Sequence, residues 1–339
     1  MKAIAPGKLI LSGEHAAVYG RPAIAMAIDR SATAILSPQA GLEEGEVSFD
    51  LTDLHQQERF TIRALRDFRE RVQRNYRSFL EGEMGIREVL RKPVDLFEYA
   101  FIMLLDGLHL KLKDRLDIRL HSNIPMGCGL GSSAASILSL LRAMGHYFRV
   151  EFRPDWYYTY SLEAERMQHG FPSGVDSYIS IHGGAARFQD GRAERIPLPR
   201  LPMALVNTGT PDTTTGECVA DVRRIFGSDT RLWNEFEAVT RGMESAIHTN
   251  AMDDIIAAVR ANHRLLTRIG VVPERVQEFI RRVEDMGGAA KICGSGAAAG
   301  SAAGIVMVCG IPVPSALAAE FGYHIEAIRG EPLGLRIVG

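Results

Sequence analysis

Lys8, Glu14 and His15 stand close together near the start of the chain, in Ala5-Pro6-Gly7-Lys8-Leu9-Ile10-Leu11-Ser12-Gly13-Glu14-His15. Farther on, Pro125-Met126-Gly127-Cys128-Gly129-Leu130-Gly131-Ser132-Ser133-Ala134-Ala135 sets glycines at alternate positions ahead of two serines. Glu165 and Asp176 follow in Glu165-Arg166-Met167 and Pro172-Ser173-Gly174-Val175-Asp176. Glycines let a backbone approach a bulky anion because no Cβ intervenes. A glycine loop feeding a helix N-terminus gathers unpaired N–H groups and the positive end of the helix dipole. The natural ligand of such a site is a nucleotide phosphate. A lysine near a substrate hydroxyl can stabilise an alkoxide or a phosphoryl group in transit. Two carboxylates supply what phosphoryl transfer needs: one oxygen ligand for Mg²⁺ and one group near the acceptor hydroxyl.

Each segment has a plainer reading. Lys8 is equally a surface lysine beside a turn, and Asp176 a turn or cap residue of the kind common near Gly and Pro. The small-residue loop Lys291-Ile292-Cys293-Gly294-Ser295-Gly296-Ala297 is either close packing or an approach to nucleotide. The glycine loop is not a Walker loop, since no Lys follows Gly131. Nor is it the dinucleotide fingerprint, since Ser132 stands where its last Gly belongs.

The elements that must position these residues are partly readable. Asp117 to His121 alternates as a strand does. Ala134 to Met144 and Trp156 to His169 carry apolar residues at helical spacing. Lys2–Ile4 and Lys8–Leu11 read as strand pieces around a Pro6-Gly7 turn. Ala23–Ile28 reads as a buried apolar segment, and Ser31–Leu36 and Glu46–Leu51 as strands joined by a glycine-containing turn. Leu54 to Arg91 reads as a charged amphipathic helix with Phe60, Ile62, Leu65, Phe68, Val72 and Phe79 as its buried stripe. Val94 to Leu110 reads as a strongly apolar helix. Ala185–Phe188 and Ala193–Ile196 flank an Asp190-Gly191 hairpin turn. A proline cluster, Pro197, Pro199 and Pro202, then marks the expected boundary between residues 1–196 and 197–339. Beyond it, Met203–Asn207 reads as a strand. Helices are expected near 217–226, 232–250, 252–269 and 275–286, with strand material at Ile292 and 305–308. Strands and helices mixed in both halves argue for an α+β fold.

A chain of 339 residues, 46% apolar, has room for about two domains. Its net charge of −2 offers no basic field for nucleic acid. Cys128, Cys218, Cys293 and Cys309 have no metal-type spacing and read as thiols of a reducing cytoplasm. No leader sequence is expected, and no apolar run approaches the ~20 residues needed to span a bilayer.

The order and spacing of the segments resemble the galactokinase–homoserine kinase–mevalonate kinase–phosphomevalonate kinase (GHMP) superfamily, and within it most closely the mevalonate kinases. Ala5–Gly20 resembles the first motif of that family, Pro125–Ala135 its ATP-binding motif, and Glu165–Asp176 its middle segment. Asn262-His263, Gly270-Val271 and Lys291–Gly296 resemble its C-terminal pattern. The resemblance implies a ribosomal-protein-S5 domain 2-like N-terminal half, a ferredoxin-like C-terminal half and a cleft between them. It implies ATP and Mg²⁺ as cofactors, with Pro125, Gly127, Gly129, Leu130, Gly131, Ser132, Ser133 and Ala134 at the nucleotide. Ser133 and Glu165 would hold the metal, and Asp176 and Lys8 would be catalytic. Glu14, His15 and Ser173 would line the acceptor side. The implied reaction is phosphorylation of the primary hydroxyl of mevalonate in isoprenoid biosynthesis. The implied partner is a small alcohol, with no nucleic acid or membrane and with room for a homodimer.

Three positions depart from the family pattern. Gly216 follows Thr215 where an Arg is usual, leaving Arg223 or Arg224 as the nearest replacements in sequence. The C-terminal loop reads Cys293-Gly294-Ser295-Gly296 and then three alanines, and Ser177 replaces an Asn. The alternatives are a kinase for another small hydroxylated acceptor such as phosphomevalonate or a sugar, a diphosphomevalonate decarboxylase-like lyase, and a nucleotide-binding regulator without catalysis.

Overall fold

The computed structural model describes residues 1–39, 45–125, 127–213 and 215–339. Met126 of the glycine segment and the glycine-containing turn expected before Glu46 lie outside them. In chain order the elements are β1 (Lys2–Ser12), β2 (Ala23–Gln39), β3 (Glu46–Leu51), β4 (Gln56–Thr61), α1 (Ile62–Leu80) and α2 (Asp95–Gly107). Next come β5 (Arg115–Ser122), α3 (Ser132–Tyr147), α4 (Pro154–His169), α5 (Val175–His182), β6 (Ala185–Gln189) and β7 (Arg192–Ile196). The rest are β8 (Met203–Asn207), α6 (Thr215–Phe226), α7 (Thr230–Thr249), α8 (Met252–Arg268) and α9 (Glu274–Asp285). The chain closes with β9 (Ala289–Cys293), β10 (Ile305–Cys309), α10 (Ser315–Phe321), β11 (His324–Ile328) and β12 (Arg336–Val338).

Two sheets organise these elements. The first runs β12-β1-β2-β5-β3-β4, with β6 and β7 added beside the start of β2. Its pairs are antiparallel except β3 with β5. The second is antiparallel, in the order β11-β8-β10-β9. The chain passes from one to the other through the proline cluster between β7 and β8. It then returns at its end, where β12 pairs with β1 at Lys2 and Val338. One large apolar core lies between the first sheet and α1 to α4 and continues through Met243, Ile255, Met203 and Met307 onto α7, α8 and one face of the second sheet. A second joins the inner face of the second sheet to α7, α8 and α9 through Phe236, Leu266 and Phe279. The two meet at Ser12 and Thr240, whose hydroxyls bond at 2.7 Å, and at the stacked rings of Tyr19 and Trp233.

Several local expectations are corrected. Pro6-Gly7 is no turn: β1 runs through it with a register shift opposite Ile28 and Ser31. That shift absorbs the polar Asp29 and Arg30, so the two expected pieces of β2 are one long strand. The expected helix from Leu54 begins only at Ile62, because Gln56–Thr61 pairs with β3 as a charged edge strand. The helix also ends at Leu80 rather than near Arg91, and Phe60 falls on β4; within it Leu65, Phe68 and Val72 are buried as expected, and Thr61 caps it by accepting from the Ala64 N–H at 3.2 Å. The short helix α5 and the closing α10, β11 and β12 were not anticipated.

Candidate active site

The glycine segment docks on β1. The Lys8 N–H donates to the Leu130 carbonyl at 2.8 Å, and a Cβ at Gly7 would stand 3.0 Å from that same oxygen. Gly131, at φ 73°, turns the chain into α3 in a conformation that side chains resist. Ala134, Ile137, Leu138 and Leu141 then bury α3 and fix its N-terminus. That N-terminus opens into a cleft of about 310 Å³ lined by Gly127–Ser133 on one side and by Leu51, Leu54, Leu96 and Phe97 on another. Pro125 also lines it, whereas Ala134 is buried below and does not.

At the edge of the loop the Lys8 ammonium donates to the Gly129 carbonyl at 2.7 Å and pairs with Asp176 at 3.0 Å. Lys8 is 6% exposed and Asp176 30%, so the pair faces the cleft from its carboxylate end. Asp176 lies in the first turn of α5, a place the sequence reading had given to a turn. Beside it, the Ser133 hydroxyl donates to Glu165 Oε1 at 3.2 Å and lies 3.3 Å from His169 Nε2. Ser177 donates to the other Glu165 oxygen at 3.1 Å. Burial, then repulsion from Asp176, pushes the Glu165 carboxyl up to about 7, against the serine hydrogen bonds and the Lys8 charge. Burial lowers the His169 pKa, with Asp176 opposing, so the ring stays neutral at physiological pH.

Lys8, Ser133, Glu165 and Asp176 are thus brought together with the loop. Glu14 and His15 lie toward the second sheet. Glu14 pairs with Lys291 of β9, and the two side chains are 1% and 0% exposed. Burial raises the Glu14 pKa, and the Lys291 charge opposes it. His15 Nε2 donates to the Ser295 carbonyl at 2.9 Å, and burial keeps this ring neutral as well. Glu14 Oε2 and His15 Nδ1 are buried without a partner among the described residues. Ser173 is exposed, with its hydroxyl accepting from the Val175 N–H at 3.4 Å, and no hydrogen bond joins it to the other site residues. Arg223 and Arg224 are exposed on α6 and do not line the cleft. Sequence reasoning missed Lys291, Ser177 and His169 as site residues. His169, four residues beyond Glu165 on one helix face, was the detectable one.

A glycine loop, a buried lysine and two carboxylates are therefore gathered beside one cleft, which the loop and Asp176 line. A family profile, GHMP kinases N terminal domain, matches residues 95–184, which span α3, Glu165 and Asp176. A mevalonate kinase from Thermococcus sibiricus is 27% identical over 312 residues, covering 87% of this chain and 86% of that protein. Residues 95–184 thus match a GHMP kinase N-terminal domain, and most of the chain is similar to mevalonate kinases. The mevalonate kinase of Mus musculus is 35% identical over 253 residues, covering 65% of this chain and 61% of that one. The fold matches the crystal structure of the Methanococcus jannaschii mevalonate kinase with a TM-score of 0.78 at 23% identity, over 97% of this chain and 98% of that one. The protein is a small-molecule kinase, and the GHMP kinases whose N-terminal domain it matches use ATP as phosphoryl donor.

Proposed function

We propose that the protein transfers the terminal phosphoryl group of ATP to the primary hydroxyl of mevalonate, giving 5-phosphomevalonate and ADP. The observation that carries this reading is the Lys8–Asp176 pair at 3.0 Å, tied to the Gly129 carbonyl of the glycine loop. The relatives, named for that reaction, support the acceptor. The loop from Gly127 to Ser133 wraps the triphosphate at the N-terminus of α3. The apolar wall of Leu54, Leu96 and Phe97 receives the base.

The donors at Ser133 and Glu165 suit Mg²⁺: both are oxygens, and Mg²⁺ takes only one or two ligands from protein beside phosphates and water. Bound there, the ion would neutralise charge on the phosphates. Asp176 orients the acceptor hydroxyl and takes its proton, and Lys8 stabilises the charge that develops on the transferred group. A loose transition state asks little activation of the nucleophile, so alignment carries most of the rate. Glu14 Oε2 and His15 Nδ1, the orphaned acceptors beside Lys291, receive hydroxyls of the acceptor, and Ser173 borders that side. We take residues 1–196 and 197–339 as the two halves that frame the site, a division that follows the two sheets except at β12, which returns to the first. We place the reaction in the cytoplasm, where ATP is available and buried thiols such as Cys218, Cys293 and Cys309 stay reduced.

The test is ADP release from Mg²⁺–ATP with and without mevalonate, with the product identified by mass. Release dependent on mevalonate and lost in Asp176→Asn is the expected result. Release with a different acceptor alone would overturn the substrate.

A further inference from the structure

A second cavity, of about 260 Å³, lies against the same stretch of glycine loop as the nucleotide cleft, sharing Gly127, Cys128 and Gly129 with it. Its other walls come from Thr210, Pro211, Thr213 and Thr215 and from Cys293–Gly296 at the end of β9. Its polar groups are hydroxyls and backbone, and its lining holds no Asp or Glu. Among the described residues, the one charged side chain in the lining is Arg87. Among the described residues no carboxylate pairs with that guanidinium, which leaves its charge available to the cavity.

Arg87 is also held in place. It sits in a single turn of 3₁₀ helix, Ile86–Glu88, closed by a bond from the Gly85 N–H to Glu88 Oε1 at 3.0 Å. Val89, next in the chain, is 2% exposed, and Ile86 packs on the main core. A fixed backbone thus carries an unneutralised cation to a cavity that also offers the Ser295 and Thr215 hydroxyls, 3.3 Å apart, and the buried, unpartnered Thr213 Oγ1. Hydroxyl donors around one guanidinium, beside glycine backbone and with no acid among the described lining residues, form a receptor for an oxyanion.

We propose that this cavity binds an oxyanion of the reactants and that Arg87 is the specificity-determining residue that holds it. The inference rests on the kinase reading above and deepens it. The orphaned atoms at Glu14 and His15 are hydrogen-bond acceptors and cannot hold an anion, so an acidic acceptor needs a cation elsewhere. The same chemistry could come from the acceptor's carboxylate or from the terminal phosphate of ATP.

Steady-state kinetics of the whole protein with mevalonate and ATP varied separately test this, for wild type, Arg87→Ala and Arg87→Lys. Loss of one charge-assisted hydrogen bond predicts a rise of about ten- to a hundredfold in one KM for Arg87→Ala. Arg87→Lys should recover part of it, because the charge stays while the fork is lost. A rise confined to the mevalonate KM assigns the oxyanion to the acceptor, and one confined to the ATP KM assigns it to the phosphate. Both KM values within twofold of wild type, in an active enzyme, overturn the proposal and leave the kinase reading standing. If wild type does not phosphorylate mevalonate, that reading fails separately. The thermal stabilisation of wild type and Arg87→Ala by mevalonate and by inorganic phosphate then decides: a shift present only in wild type supports the site, and equal or absent shifts overturn it. Arg87 is exposed, so an unchanged unliganded Tm shows that the variants fold.

Discussion

Asp176→Asn separates the two tasks proposed for this carboxylate, pairing with Lys8 and accepting the acceptor's proton. Asp176 Oδ1 lies 3.0 Å from the Lys8 ammonium, and Asn keeps the shape while losing the charge. At an effective dielectric of ~20 the attraction across that distance is at most about 5.5 kcal/mol. The true figure is smaller, because the 30% exposure of Asp176 lets water screen the pair. Removing the charge also removes the proton acceptor, and a positioned base is worth about 10²–10⁴ in rate. The released positive charge on Lys8 works in the other direction for nucleotide, since it then faces the phosphates unopposed. The expected outcome is a kcat lower by about 10²–10⁴ with ATP affinity unchanged or tighter. Stopped assays of ADP formation give the first quantity, and titration calorimetry with ATP gives the second. If Lys8 and Asp176 act as a unit, Lys8→Met in the Asp176→Asn background adds little further loss. A kcat within tenfold of wild type, or a clear weakening of ATP binding, refutes the assignment of Asp176 to the acceptor hydroxyl.

Ser133→Ala removes one of the two oxygen donors at the expected metal position. Its apparent Mg²⁺ requirement should rise about tenfold or more in ADP-release assays, while the Tm stays near that of wild type. Lys291→Met strands the Glu14 carboxylate in the interior and should destabilise by about 3–5 kcal/mol in urea unfolding. Adding Glu14→Gln should recover most of that loss, because the pair is then replaced rather than broken. Glu98, 3% exposed in α2, has its pKa raised to about 8, first by burial and then by Asp95 and Glu58. Its neutral form is the stabilised one, so its contribution is complete below pH ~4.5 and is lost as pH rises toward 8. The slope is at most about 1.4 kcal/mol per pH unit. Glu98→Gln should flatten that part of the stability profile, and an unchanged slope would show that Glu98 ionises without penalty.

What the sequence disclosed was local chemistry. The glycine loop, the helix behind it, Lys8 and Asp176 are each specified within a few residues. Glycine spacing, apolar periodicity and charge type sufficed to name them. Their meeting was not specified in that way. The Lys8–Asp176 contact depends on β1 docking under the loop through the Leu130 carbonyl. It depends equally on α5, an eight-residue helix between Gly174 and Gly183 whose pattern is too short to stand out from a turn. β2 was read as two segments because Asp29 and Arg30 interrupt its apolar run. Only the register shift in β1 across the sheet makes room for them.

The second sheet contributes to the site through contacts that no window along the chain can reveal. Lys291 sits amid an apolar strand, which reads as an isolated misfit until Glu14, 277 residues away in the sequence, is placed beside it. The buried pair then explains two things together. It gives the lysine a partner that makes its burial tolerable, and it anchors the segment carrying His15 against the loop at Ser295. That loop forms one wall of the cavity that Arg87 enters from the first half of the chain. A substitution at Lys291 should therefore disturb both stability and acceptor binding, whereas one at Arg87 should disturb binding alone. The contrast between these two cations, one paired and buried and the other unpaired and exposed, separates the residue that builds the site from the residue that reads its ligand.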